Sequence, residues 1–516
     1  MTCETPFMML DQDCLEEIFK LLRPGHGLRP LSLTSKWMRS RCKRILFERS
    51  FGHAHNIYKP DRLPSPSIWP YIRSLVLRGC FDTLAETDMD DPHADIMRRT
   101  EDVLSSALPS MPRLSSILLE DSVGSGVPWP ILAIMLSAPQ LRGFVLRSRL
   151  FRRDQPPPSN PSLHLAPLVS FSYTPYDLRP HPRSCSSEKR VLAILLSRLC
   201  KSLESLAIPS ESAPFRLLNR WDWPRLRELS IEGHASRVLE SRDPLVSVLS
   251  TMPHLRVLTL KLAYLPKQDL RAIWPQDEDR ASLPWPELES LTISWAYPGD
   301  RIYDHLPASL RHLCLRNWPR SHSHYVRRLE CLRTGVSWIG RMLMASDVLC
   351  ILQRCRRVAL ERLDVEYKVD ARDLELLRFI PTAFPNLRVL QVHRNRALHD
   401  FSPIPVEEIT DLASALPHLR VLRLYLDPKH LVQNAYGGEP KVPAIEYMPV
   451  IQATISAVTR KAGPSLEYLC LLIWIGPSAR WNVYRLERDA DGRVEARYDR
   501  DETIDKVAGY DNNNDD

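Results

Sequence analysis

Few residues in this chain fall at spacings that catalysis or metal binding would use. Ser337 sits between Gly335 and Gly340 in TGVSWIG, but a nucleophile elbow reads G-x-S-x-G, so this segment is one residue too long and no oxyanion segment accompanies it. His53 and His55 in GHAHN, and His322 and His324 in SHSHY, are H-x-H pairs. Each offers two imidazoles where structural zinc needs four ligands and catalytic zinc three, and no third ligand is in view. ETDMDDPHAD, Glu86 to Asp95, is acidic yet lacks the Gly and the closing Glu of a calcium loop, and reads as a solvated insertion. RCRR at Arg354 to Arg357 reads as a helix end whose charges sit well against the dipole. The 11 cysteines are an odd number without a C-x-x-C pair, the pattern of reduced, mostly buried thiols. We therefore expect no catalytic residue, no metal and no cofactor, and the question becomes what the scaffold holds.

The totals describe a folded protein: 516 residues, 44% hydrophobic and 25% charged, with 69 basic against 62 acidic residues. A net charge of +7 over that length permits an acidic partner without demanding nucleic acid. Gly is scarce at 17 and Pro abundant at 44, which disfavours folds built on glycine-rich phosphate cradles. MTCETPFMML carries no basic residue and does not look like a secretory signal. No apolar run approaches the roughly 18 residues that cross a bilayer. The expectation is a cytoplasmic or nuclear protein with no membrane contact.

A repeat runs through the chain. FPNLRVLQVHRN from Phe384 and LPHLRVLRLYLD from Leu416 share the frame L-x-x-L-x-L, often led by Pro. MPHLRVLTLKLA from Met252, WPRLRELSIEGH from Trp223, WPELESLTISWA from Trp285 and APQLRGFVLRSR from Ala138 repeat it, and looser copies bring the total to about thirteen. Alternating apolar residues put two side chains on one face of a short strand that cannot bury itself alone, so copies must stack. Segments of helical period precede many copies, among them EKRVLAILLSRLC from Glu188 and VEEITDLASALP from Val406. These motifs resemble the leucine-rich-repeat family over about 68–475. The fold class expected is α/β, an irregular leucine-rich-repeat solenoid with parallel strands inside the curve and helices outside. Leading leucines at 360, 387 and 419 are 27 and 32 apart, where the family holds about 20 to 29. Inserts at Arg153 to Pro167 and Arg179 to Glu188 add irregularity.

Ahead of the repeats lies LDQDCLEEIFKLL, Leu10 to Leu22. Leu15, Ile18, Phe19 and Leu22 fall on one helical face, with Asp11 or Asp13 as a cap and Pro24–Gly25 as a stop. LRPLSLTSKWMRSRCKRILFERSF from Leu28 reads as two more helices. So small a unit is marginal alone, and its surplus apolar surface predicts an obligate neighbour. Over about 7–51 the residues resemble an F-box. Leu10, Asp13, Leu15, Ile18, Phe19 and Leu22 match its first half, and Leu28, Leu31, Leu33, Ser35, Lys36 and Arg39 its second; Asp11 stands where the family has Pro, and Trp37 comes one place early. The resemblance implies docking on a Skp-type linker protein and through it a cullin. The linker-binding residues it implies are Leu10, Asp11, Leu15, Ile18, Phe19, Leu22, Leu31, Leu33, Ser35, Lys36 and Trp37.

An F-box followed by leucine-rich repeats resembles the substrate-recognition subunit of an SCF-type cullin ubiquitin ligase, a non-catalytic adaptor. In each frame the third, fifth and seventh positions face away from the core, and a protein client is expected there, on Lys261, Arg316, Gln391, His393, Arg423 and Tyr425. That stripe is polar and partly basic, which suits an acidic or phosphorylated segment. WNVYRLERDADGRVEARYD, 481–499, predicts a hairpin that shields the open end of the repeats, and 508–516 a disordered acidic tail. Two rival readings are a repeat scaffold unrelated to ubiquitin, with the first helices as its cap, and a hydrolase assembled from distant residues.

Overall fold

The computed structural model describes residues 10–22, 27–55, 57, 59, 62–79, 92–120, 126–147, 164–174, 186–235, 243–264, 272–278, 282–318, 342–396, 403–426, 444–475 and 478–499. Pro24–Gly25, Ser337, His322, His324, most of both inserts and the acidic tail lie outside them. The chain forms two compact units, one of residues 1–178 with 185–212 and one of 179–184 with 213–516. Strands of the repeat region expected over 68–475 occur in both.

The repeat is built from a turn that proline sets. In Met111-Pro112-Arg113-Leu114 the Leu114 amide donates to the Met111 carbonyl at 3.0 Å, and Leu141 to Ala138, Leu255 to Met252, Leu288 to Trp285, Leu387 to Phe384, Leu419 to Leu416 and Leu466 to Gly463 do the same. In each the second residue is Pro, whose fixed φ suits the second position of a tight turn. The leading Leu closes the turn and drops into the core: Leu114, Leu141, Leu255, Leu288, Leu387, Leu419 and Leu466 are all buried. The next carbonyl along then accepts two amides from the following repeat, as Arg73 does from Ser115 and Ser116, and Arg388 from Arg420 and Val421. Proline abundance and leucine spacing are therefore one device, which starts each strand in register with its neighbour.

In the first unit three helices, α1 (Gln12–Leu22), α2 (Leu28–Leu33) and α3 (Lys36–Leu46), lead into strands β1 (Arg49–His53), β2 (Ser74–Arg78), β3 (Ser116–Glu120), β4 (Gly143–Arg147), β5 (Ser170–Tyr173) and β6 (Ser205–Pro209). The six strands pair in sequence order, all parallel. Arg49 to Phe51 belong to this sheet, so the helical segment ends at Leu46 and the first strand precedes the expected start at 68. Helices Pro92–Ala107, Trp129–Leu136 and Ser186–Leu199 supply the return paths. Ile117 and Leu119, Phe144 and Leu146, and Phe171 and Tyr173 face the core in successive strands.

The second unit carries β7 (Glu228–His234), β8 (Val257–Ala263), β9 (Ser290–Ile293), β10 (His312–Leu315), β11 (Leu343–Met344), β12 (Arg362–Lys368), β13 (Val389–Asn395), β14 (Val421–Tyr425) and β15 (Tyr468–Ile475). They form a parallel ladder in which β10 pairs directly with β12 and the short β11 joins β12 alongside it. Full helices, Ala345–Arg354, Asp373–Ala383, Val406–Ser414 and Ala444–Lys461, return the chain in the later repeats. Earlier ones make do with single turns at Leu245–Val248 and Arg301–Asp304. There Trp223, Trp274 and Trp285 are all fully buried; the Trp223 and Trp285 indoles donate to the carbonyls of Leu218 and Leu249 at 3.1 Å. Both units share one layout, parallel strands framed by buried leucines.

The expected hairpin is present and longer. β16 (Ser478–Arg488) runs antiparallel to β15 and pairs with β17 (Val494–Tyr498). Gly492 at φ 78° closes the turn, where an L side chain would be strained. The hairpin covers the edge of β15, which would otherwise present open backbone groups.

Candidate functional site

Three surfaces are candidates, and they differ in what the fold leaves accessible. The first is the helical segment. Its core is its own: Leu15, Phe19, Leu28, Met38, Cys42 and Ile45 are buried together, with Ile18, Leu22, Leu31, Trp37 and Leu46 packed partly against them. Ser35 caps α3 by accepting from the Met38 amide at 3.0 Å, and the Gly27 amide donates to the Leu22 carbonyl at 3.1 Å, tying the start of α2 to the end of α1. Arg41 and Arg44 of α3 reach Gln12 and Glu16 of α1 at 2.6 and 2.9 Å.

Of the residues expected to touch a linker, Leu10, Asp11, Leu33, Ser35 and Lys36 are exposed, while Ile18, Leu22, Leu31 and Trp37 are half-buried. Leu15 and Phe19 are a correction. They lie at the centre of the three-helix core and cannot be contact residues, because the stripe they form packs α1 onto its own neighbours. The apolar surface that remains is elsewhere: Leu21 is 80% exposed, Leu33 66% and Leu10 40%. Leu21 was not anticipated. It lies off the stripe, on the charged face of α1, and that isolation is the signal the sequence carried.

The second surface is the outward face of β1 to β6, exposed at Phe51 and Arg78, half-buried at Leu118, Val145 and Arg147, and fully buried at Val76. Three rows cross it. The middle row is apolar, Phe51, Val76, Leu118 and Val145 in register, ending on Ser172 and Ala207. One flank is small, Ser74, Ser116, Gly143, Ser170 and Ser205 after Arg49. The other is charged, His53, Arg78, Glu120 and Arg147. Glu120 accepts from Arg78 at 3.0 Å and from Arg147 at 3.2 Å. Phe51, 52% exposed, has the guanidinium carbons of Arg49 and Arg78 at 5.6 and 4.9 Å from its ring centre, within cation–π range.

The third is the strip on which a client was expected, and the structure corrects it. Lys261, Arg316, Gln391, His393, Arg423 and Tyr425 are all buried, so none is a solvent-facing contact. Both faces of β12, β13 and β14 are covered. Trp481 of β16 supplies part of that cover, its ring 5.7 Å from His393 and 4.9 Å from the Arg423 guanidinium carbon. The Gln391 amide donates to His393 Nε2 at 2.7 Å, His393 lies 5.7 Å from Tyr425, and Lys261 pairs with Glu232 at 3.3 Å. Nearby, Arg394 and Asp373 form a buried ion pair at 2.8 Å that also accepts the Tyr367 hydroxyl at 3.0 Å. Alternation along a strand assigns these side chains to the face away from the leucines, but it carries no information about what lies over that face.

Burial pushes the thiols of Cys355 and Cys470 up to about 12, so both stay protonated near neutral pH. Asp300 is raised to about 6 by burial, against the backbone amides of Ile302, Ile273 and Trp274 that pull it down; its carboxylate caps the turn at Arg301–Asp304. Among the described residues no group of three or more His, Cys, Asp or Glu is arranged to hold a metal, and no helix is long and apolar enough to cross a membrane.

No protein-family model matches this chain, and no curated protein does. Among solved structures, the leucine-rich repeat-containing protein LegL7 from Legionella pneumophila is 13% identical over 91% of this chain and 95% of that chain, with a TM-score of 0.23. A superposition that slight assigns neither site nor activity.

Proposed function

We propose that this chain is the substrate-recognition subunit of a cullin-based ubiquitin ligase, in which the three helices dock on a Skp-type linker and the repeats receive a protein client. The observation that carries this reading is the division of apolar residues in the helical segment. A closed core holds it together, yet Leu21 and Leu33 remain in water, as suits a surface awaiting a partner. The F-box resemblance of the same residues supports it. The chain itself makes and breaks no bond in this role; it raises the local concentration of a client lysine near a ubiquitin-charged enzyme.

A second reading is favoured by one observation: α3 ends at Leu46 and β1 starts at Arg49, so the helices stand directly ahead of the first strand, where a solenoid cap stands. Under it the chain is a protein-interaction scaffold with no tie to ubiquitin. Co-expression of the tagged chain with a Skp-type linker separates the two. The deletion must stop at residue 47, because one reaching Phe51 removes β1 and opens the sheet. Loss of the linker on deleting 1–47, with the repeats still folded by circular dichroism, is the expected result. A linker that never co-purifies, or one indifferent to the deletion, refutes the ligase reading.

A further inference from the structure

We propose that the outward face of β1 to β6 is the client site, and that it takes an acidic segment in polyproline II conformation with acidic residues three apart. This rests on reading the repeats as a protein-binding surface, and it moves that surface from the covered strip of the second unit to the first. Accessibility is the first argument. Phe51, Arg78 and Arg147 lie at or near the surface and Leu118 and Val145 are half-buried, with Val76 alone of that row fully buried, whereas the equivalent rows on β12 to β14 are closed throughout.

Charge and spacing are the second. Glu120 holds Arg78 and Arg147 from between and neutralises only one of them, leaving the row positive before Arg49 is added. Arg78 and Arg147 lie on strands two apart, a backbone separation of about 9.6 Å at the ordinary strand spacing, and an acidic segment would draw their guanidinium groups off Glu120, which both now share. A polyproline II helix rises about 3.1 Å per residue with three residues per turn, so every third side chain returns to one face about 9.3 Å on. Acidic residues at i and i+3 therefore meet Arg78 and Arg147 together, as charge-assisted bonds. With three residues per turn, one of the two residues between them falls over Leu118 and Val145 and the other faces water. Phe51, an exposed ring already flanked by two guanidinium groups, offers the aromatic platform on which proline-rich segments stack, and the serine flank with Gly143 leaves a low side along which a backbone passes.

The test uses the full-length protein and a fluorescein-labelled peptide repeating Glu-Pro-Leu, followed by fluorescence anisotropy. Saturable binding is expected, weakened at least about tenfold by Arg78→Glu with Arg147→Glu. It should also weaken several-fold when salt rises from about 0.05 M to about 0.5 M. A Lys-Pro-Leu repeat should not bind, and inserting one residue between successive glutamates should weaken binding markedly. Absence of binding, equal binding by the double variant, or indifference to glutamate spacing overturns the proposal. The arginine variants leave the linker surface untouched, so linker co-purification reports separately on the ligase reading.

Discussion

The exposed leucines of the helical segment yield the sharpest test, Leu21→Asp with Leu33→Asp. Full burial of a leucine side chain is worth about 1.5–3 kcal/mol. With 80% of Leu21 and 66% of Leu33 in water, covering both offers about 2–4 kcal/mol, or roughly 30- to 1000-fold in affinity. Aspartate in either place adds the cost of covering a charge, so the lower figure is a floor. Because neither leucine belongs to the core, the folded chain loses only what aspartate costs in the last turns of α1 and α2 through helix propensity and the dipole, about 1 kcal/mol or less per site, and its Tm should fall far less than that of a core variant. Phe19→Ala is the contrast: Phe19 is fully buried in the three-helix cluster, and its truncation should cost about 3–5 kcal/mol of local stability. Biolayer interferometry against a purified Skp-type linker, with melting curves on the same samples, reads both effects. Binding by the double aspartate variant within about threefold of the parent would refute the assignment of these leucines to a docking surface; so would a fall in Tm like that of the Phe19 variant.

Two further outcomes test the second unit. Arg394→Met strands Asp373 as a buried charge beside Tyr367 and should cost about 3–5 kcal/mol in urea unfolding, while Arg372→Met, which removes only an exposed pair with Glu375, should leave the melting curve where it was. Asp300, raised from 3.8 to about 6, holds its proton more tightly in the folded state, so the stability it contributes is present below about pH 4 and is lost as pH rises through 6. That amounts to as much as about 3 kcal/mol. Asp300→Asn is less stable throughout, since its amide nitrogen meets the Ile273 amide that now donates to Asp300 at 2.6 Å, but the parent-minus-variant difference should shrink from about pH 4 to about pH 6.5; a flat difference would sink this account of Asp300.

Local rules wrote much of this chain in plain view. A proline followed two residues later by leucine is a turn and a core anchor at once, and Met111-Pro112-Arg113-Leu114 behaves like Phe384-Pro385-Asn386-Leu387 because the same hydrogen bond closes both. The amphipathic stripe of α1, the Ser35 cap and the DADG hairpin are equally local, and each is where its residues place it. What the tertiary structure alone decided is which polar face meets water. His393 and Arg423 alternate with buried leucines just as Arg78 and Arg147 do, yet the first pair is sealed in and the second stands at or near the surface. A strand's period of two sorts side chains between two faces; whether a face is then covered depends on segments distant in sequence, such as the hairpin that brings Trp481 over His393.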